Sequence, residues 1–279
     1  VTRAWLVVRS VAVWTIGLVH FAVGCSLFAI GTFFIDPVRY DGAMRAFSRN
    51  IFRLAGVGFH VERAAGFDAT RTSLFVANHI DLLDAFIIYA SVPQLVRGIE
   101  LESHFRIPFY GWLMKALGNV GVPPFGSAQD RPFDSAQGRP FDSAQGRPFD
   151  SAQDRGRDRN SYRRLVADTK RSLDRGISLA VFPEGTRTRT GLVGPFHVGF
   201  FRLAIRLGCP IVPVSIVGAY EFSRKGSWLM RPSTIVVHLH DTIETRGLTR
   251  ADAEALMTRT RRIVSDPVDR SRQRVPLPA

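Results

Sequence analysis

From Ser10 to Ile35 the chain carries no Asp, Glu, Lys or Arg, and His20 is the one residue there that can become cationic near neutral pH. As a helix this stretch runs about 39 Å, against a hydrocarbon core of about 30 Å. A signal peptide has a shorter apolar region and a small-residue cleavage site, and no such site follows Ile35. Gly17, Gly24 and Gly31 recur every seven residues near one helix face, where they allow close packing or a bend. Residues 1–36 therefore read as a membrane anchor, either a spanning helix or a re-entrant helical hairpin. The alternative is a buried soluble helix. Arg39, Arg45, Arg49 and Arg53 follow the apolar run, whereas only Arg3 and Arg9 precede it. The positive-inside rule then places the rest of the chain on the cytoplasmic face of the membrane.

Beyond Pro37 the pattern changes. Arg45, Arg49 and Arg53 fall on one helical stripe, with Met44, Phe47, Ile51 and Leu54 on an apolar side. This is either an interfacial helix with Arg at the headgroups or an amphipathic helix of the following domain. Apolar strands are then expected at 73–77, 94–99, 119–122, 178–182, 210–217 and 234–240. Helices are expected near Trp112, over 160–175, 196–207 and 249–264, the last capped by Thr249 with Asp252 three residues on. Strands alternating with helices argue an α/β domain over residues 37–265, a largely parallel sheet flanked by helices. The tail 266–279 is rich in Arg and Pro and reads as loose.

One stretch interrupts that domain. Gly126–Phe133, Asp134–Phe141, Asp142–Phe149 and Asp150–Arg157 are copies of one eight-residue unit, too polar and too rich in Pro and Gly to build a core. Residues 124–153 are read as a low-complexity insertion looping out of the domain. They carry three Arg against four Asp, so the formal charge of +13 belongs to the rest of the chain. Of 37 basic residues only Lys115, Lys170 and Lys225 are Lys. Such a charge calls for an anionic partner: nucleic acid, a membrane surface or a phosphorylated substrate. Cys25 and Cys209 sit in apolar stretches and read as free buried thiols; neither has a neighbouring ligand cluster, so no metal site is expected.

Chemistry gathers at two turns. The strand ending at Ala77 runs into Asn78-His79-Ile80-Asp81-Leu82-Leu83-Asp84. Asp81 is placed to cap a helix and Asp84 to sit in its first turn. If the turn folds back, the Asp84 carboxylate fixes one imidazole nitrogen of His79 and leaves the other to take a proton from a hydroxyl. A capped helix beside an incidental surface His is the plain alternative. Phe182-Pro183-Glu184-Gly185-Thr186-Arg187 repeats the arrangement: a strand stops and leaves Glu184 and Arg187 at its carboxyl end. Sites in open α/β sheets form at that edge. Arg187 can grip a phosphate through two parallel hydrogen bonds. No Gly-x-Ser-x-Gly, Gly-x-x-x-x-Gly-Lys-Ser/Thr or Gly-x-Gly-x-x-Gly motif is present, and Ser215 falls in an apolar strand. A base without an enzyme nucleophile suggests direct attack by a substrate hydroxyl.

Four blocks in order then resemble the 1-acylglycerol-3-phosphate O-acyltransferases of the glycerolipid acyltransferase superfamily. They are Asn78-His79 with Asp84; Glu100-Leu101 with Ile107-Pro108-Phe109-Tyr110-Gly111; Phe182 to Arg187; and Ile211-Val212-Pro213-Val214. The resemblance spans residues 50 to 240. It implies a base at His79 oriented by Asp84, and acceptor binding by Glu184, Gly185, Thr186 and Arg187. Pro213 would belong to an acyl or structural pocket. The family's phosphate-binding Arg of the second block aligns with Arg155, with Arg131 as competitor. His197 departs from the Lys usual in the turn Phe196 to Gly199. The implied reaction moves an acyl group from acyl-CoA or acyl-acyl carrier protein to lysophosphatidate, giving phosphatidic acid at a membrane. No resident cofactor or metal and no nucleic acid is expected. Alternatives are the same chemistry on another lyso-lipid, such as a lyso-ornithine lipid, or a non-catalytic basic module that binds anionic lipid or nucleic acid.

Overall fold

The computed structural model describes residues 2–106, 110–122 and 152–274. Helix α1 (Arg3–Gly31) and helix α2 (Asp41–Leu54) precede strand β1 (Gly58–Arg63). Then follow β2 (Leu74–Ala77), α3 (Asp84–Ser91), β3 (Val96–Leu101), α4 (Tyr110–Leu117) and β4 (Val120–Val122). After the repeats come α5 (Ala152–Asp174), β5 (Ser178–Val181), α6 (Gly199–Leu207), β6 (Ile211–Val217), α7 (Ala219–Phe222), β7 (Thr234–Leu239) and α8 (Ala253–Arg274). The strands form one seven-stranded sheet, ordered β1-β7-β6-β2-β5-β3-β4. The run β6-β2-β5-β3-β4 is parallel; β7 lies antiparallel to β6 and β1 parallel to β7. The expected α/β sheet is therefore present, as a mixed sheet with two reversed strands at one end.

Strand alternation divides the core. Phe75 and Ala77 join Phe52, Ile87, Ile88, Val212 and Val214 on the face covered by the N-terminal helices. Leu74 and Val76 join Leu165, Phe201, Leu203 and Val264 on the face covered by α5, α6 and α8. Both faces of the central strands are buried, which is why 74–77 and 179–181 read as unbroken apolar runs.

The N-terminal region forms one continuous helix long and apolar enough to cross a membrane. It is held to the domain along one stripe. Arg9 donates to the carbonyls of Met230 and Ala55, Ser10 Oγ accepts the Met230 amide, and Trp14 donates to the Trp228 carbonyl. His20 stacks on Phe47, and Phe28 packs on Tyr40. Gly24 is where α2 comes closest: an added Cβ would lie 2.1 Å from the Phe47 ring. At Gly31 an added Cβ would meet Tyr40 at an ordinary 3.8 Å and Gly17 has open space, so the seven-residue glycine spacing marks one close approach rather than a packing seam. Val8, Leu18, Val19, Val23 and Leu27 are exposed on the outer face.

Several expectations change. Arg45 and Arg49 are not simply turned to headgroups: the half-buried Arg45 donates to the carbonyls of Val92, Pro93 and Gln94, and the exposed Arg49 donates to that of Ala90, at the end of α3. Those carbonyls have no partner within the helix, so the domain supplies cations there. Residues 266–274 are not loose: α8 continues through Pro267, because Val264 and Val268 remain buried beneath it. Packing there outweighs a helix-interior proline cost of about 3 kcal/mol. Helix α5 begins inside the fourth repeat, where Gly156 replaces the proline of the preceding units. Residues 124–151, with Arg131, and Ile107-Pro108-Phe109 lie outside the described residues. Cys25 and Cys209 are free thiols, as expected.

Candidate active site

The three central strands β5, β2 and β6 end side by side, and the two chemistry-bearing turns leave from the same edge. Asn78 closes the end of β2. Its side-chain oxygen accepts the Ile216 amide at 2.8 Å and its nitrogen donates to the Ile216 carbonyl at 3.0 Å, extending the ladder by one side chain. The next residue, His79, is thereby lifted out of the sheet at a fixed point.

The turn folds back as its chemistry requires. His79 Nδ1 lies 2.7 Å from Asp84 Oδ2. The same oxygen accepts the amides of Ile80 at 2.5 Å and Asp81 at 3.1 Å. Helix α3 starts at Asp84 itself rather than after a cap at Asp81; Asp81 Oδ1 instead accepts the Leu83 amide at 2.7 Å, making an Asx turn. The His79 ring stacks on Phe182, centroids 4.7 Å apart. Its side chain keeps 25% of its exposure, while Asp84 keeps 1%. Nε2 has no hydrogen-bond partner among the described residues, so an orienting carboxylate holds one nitrogen and the other is open.

Burial sets the electrostatics. It pushes the His79 imidazole down to about 4, helped by the positive charges of Arg187 and Lys225. It pushes the Asp84 carboxyl up to about 7, against the pull of the Ile80 and Asp81 amides. The resting imidazole is neutral above that value, the state a base needs.

The second turn is bonded to the first. Thr188 N donates to the His79 carbonyl at 2.9 Å. Glu184 Oε1 accepts the His79 amide at 2.8 Å and Oε2 accepts the Gly194 amide at 2.8 Å. Gly185 turns the backbone at φ +66°, which suits glycine. Lys225 Nζ lies 3.2 Å from both Thr186 Oγ1 and the Arg187 carbonyl. Among the described residues neither Arg187 nor Lys225 pairs with a carboxylate. From α8, Arg261 donates to the carbonyls of Val193 and Gly194 at 2.7 Å, and Arg272 to Thr190 at 2.7 Å. The long C-terminal helix thus holds the loop that carries Arg187.

A family model described as Acyltransferase matches residues 59–217, a span that contains both turns and all three central strands. The chain belongs to the acyltransferase family. A 1-acyl-sn-glycerol-3-phosphate acyltransferase of Cocos nucifera is 25% identical over 183 residues, 64% of this chain and 48% of that protein. The 1-acyl-sn-glycerol-3-phosphate acyltransferase beta of Homo sapiens is 34% identical over 88 residues, 32% of each chain. The chain spans about half the length of the first of these, and a third of the second. A crystal structure of the 1-acyl-sn-glycerophosphate acyltransferase PlsC from Thermotoga maritima superposes with a TM-score of 0.69 at 20% identity, covering 96% of this chain and 97% of that one. That likeness is one of fold.

Within this acyltransferase the sequence-predicted residues separate. His79, Asp84, Gly185, Thr186 and Arg187 come together at the sheet edge. Glu184 is there too, yet both of its oxygens are committed to backbone amides, and it braces the base turn instead of facing an acceptor. Pro213 sits inside β6 opposite Val76, and its carbonyl accepts the His240 amide; it is a sheet position. Arg155 falls on α5, and its side chain lies outside the described residues. Ser215 is buried, bonded to His240 and the Val264 carbonyl, in keeping with a structural role. No group of three or more His, Cys, Asp or Glu side chains is gathered as metal ligands among the described residues. Sequence reading missed Lys225 and the two arginines of α8, since their distance along the chain gives no local signal.

Proposed function

We propose that this acyltransferase moves a fatty acyl group from a thioester donor to the free hydroxyl of 1-acylglycerol-3-phosphate, giving phosphatidic acid and a free thiol. The observation that carries this reading is an oriented imidazole, His79 on Asp84, faced by two cations, Arg187 and Lys225, that have no carboxylate partner among the described residues. His79 Nε2 takes the acceptor's hydroxyl proton as its oxygen attacks the thioester carbonyl. The C–S bond then breaks, and the thiolate recovers the proton from the imidazolium. Asp84 holds Nδ1–H throughout, so the ring presents one nitrogen only. Arg187 and Lys225 hold the acceptor phosphate, with Arg155 joining them on the resemblance of its block.

The donor is acyl-CoA or acyl-acyl carrier protein, and no resident cofactor is called for, since base, orienter and cations are all side chains of this chain. Membrane lipid supplies the acceptor. Helix α1 meets the bilayer with its outer face, Val8 to Leu27, because its inner face is bonded to the domain; the catalytic domain lies on the cytoplasmic side. The test is purified protein in lipid, given labelled acyl-CoA and a panel of lyso-lipids. Lysophosphatidate should be the best acceptor. Preference for a lyso-ornithine lipid would overturn the acceptor, and no turnover on any lyso-lipid would favour a binding module.

A further inference from the structure

The base turn holds a second carboxyl group that its hydrogen bonding leaves unfinished. Asp81 is 3% exposed and Asp84 1%. Asp81 Oδ1 accepts the Leu83 amide, and Asp84 Oδ2 accepts His79, Ile80 and Asp81. The other oxygen of each, Asp81 Oδ2 and Asp84 Oδ1, is buried and has no donor among the described residues, while the two carboxyl groups lie within reach of each other. Two orphaned carboxyl oxygens three residues apart in one tight turn cannot both be anionic acceptors: each would lose its hydration with nothing in return. A single proton between them satisfies both.

We propose that Asp81 is a neutral carboxylic acid that donates its proton to Asp84 Oδ1, and so acts as a positioning residue for the His79–Asp84 pair. The direction of proton sharing follows from the other contacts. Asp84 Oδ2 accepts three N–H groups, which favours charge on Asp84; Asp81 has one such bond. Burial and the neighbouring Asp84 both push the Asp81 carboxyl well above its ordinary range. Two carboxyl groups this close titrate as a pair and keep one proton at neutral pH. The donated bond steadies Asp84 and moderates its basicity, so the Nδ1 proton stays on the imidazole. Charges facing the pair from other elements are Glu184 and Arg187 after β5, Lys225 after α7, and Arg261 of α8 beyond Glu184.

The consequence for activity rests on the reading of His79 as the base; the protonation of Asp81 does not. Two measurements separate them. Infrared difference spectra of the full chain in detergent, parent minus Asp81→Asn above pH 8, should show a protonated-carboxyl carbonyl band. Acyl transfer should then discriminate the variants. Asn keeps both bonds, its oxygen for Leu83 and its amide for Asp84 Oδ1, so Asp81→Asn rescues turnover that Asp81→Leu lowers about ten- to hundredfold. In Asp81→Leu the acidic limb of the pH profile moves to higher pH, since Asp84 loses a donor; in Asp81→Asn it stays in place. An acidic limb displaced to lower pH in Asp81→Asn means that an anion was removed and overturns the proposal, as does absence of the carbonyl band. A band without any acyl transfer leaves the protonation standing and overturns the catalytic reading instead.

Discussion

Glu184 and His79 are joined through the backbone: the carboxylate accepts the His79 amide at 2.8 Å while its other oxygen holds Gly194. The residue ties the base turn to the loop bearing Arg187. Removing it should therefore loosen the base, not the acceptor. Glu184→Ala is expected to lower kcat by about tenfold or more, the loss of a charged bond to an amide, with acceptor KM changed far less. Steady-state kinetics decide the matter. A rise in KM at constant kcat would return Glu184 to the acceptor site.

Arg187 and Lys225 should act in the opposite column. Each single Ala variant is expected to raise lysophosphatidate KM about ten- to hundredfold, as charge-assisted bonds to phosphate are lost. Monoacylglycerol, which lacks the phosphate, should show no such change. Equal losses on both acceptors would mean the cations hold the fold and not the substrate.

Acidity follows from burial. Activity needs a neutral His79 and an ionised Asp84, so one added proton inactivates the pair, whichever residue takes it. With Asp84 raised to about 7 and His79 lowered to about 4, kcat should fall as pH drops through about 7. Asp84→Asn removes the group of higher value. Its residual activity should then persist toward pH 4, where only the imidazole is left to protonate. Variant and parent are compared as a ratio at saturating acceptor, because the acceptor's phosphate itself titrates at about pH 6. An unchanged acidic limb in Asp84→Asn would contradict the pairing.

Helix α1 has two faces with different duties. Val19→Asp with Val23→Asp, on the exposed face, should reduce flotation with liposomes and leave the melting temperature of the domain nearly unchanged. Gly24→Leu drives a side chain into Phe47 and should lower the melting temperature by destabilising the α1–α2 contact. If the outer-face variant floats as the parent does, membrane contact lies elsewhere on the surface.

Much of this was legible in the residues because burial is two-sided. Strands at 74–77 and 179–181 have both faces covered and read as apolar runs, and the turns that follow them carry the site. Strand β1 was not legible: Gly58–Arg63 is an edge strand with polar and exposed positions, fixed by its pairing with β7. The reversal of β7 was hidden for the same reason, since antiparallel pairing with β6 leaves no local mark. Arg45 and Arg49 looked like headgroup ligands because their carbonyl partners lie more than forty residues away. Glu184 looked like a ligand because composition shows a carboxylate but not the two amides that occupy it. Lys225 entered only through tertiary contact with Thr186.

As the base of an acyl transfer, His79 should be indispensable to turnover and dispensable for membrane binding. The direct measurement is turnover of labelled acyl-CoA with lysophosphatidate by parent and His79→Ala, each first shown by liposome flotation to bind membranes equally. A loss of about 10²–10⁴-fold in kcat with flotation intact is expected. Near-parental turnover in His79→Ala would contradict that role.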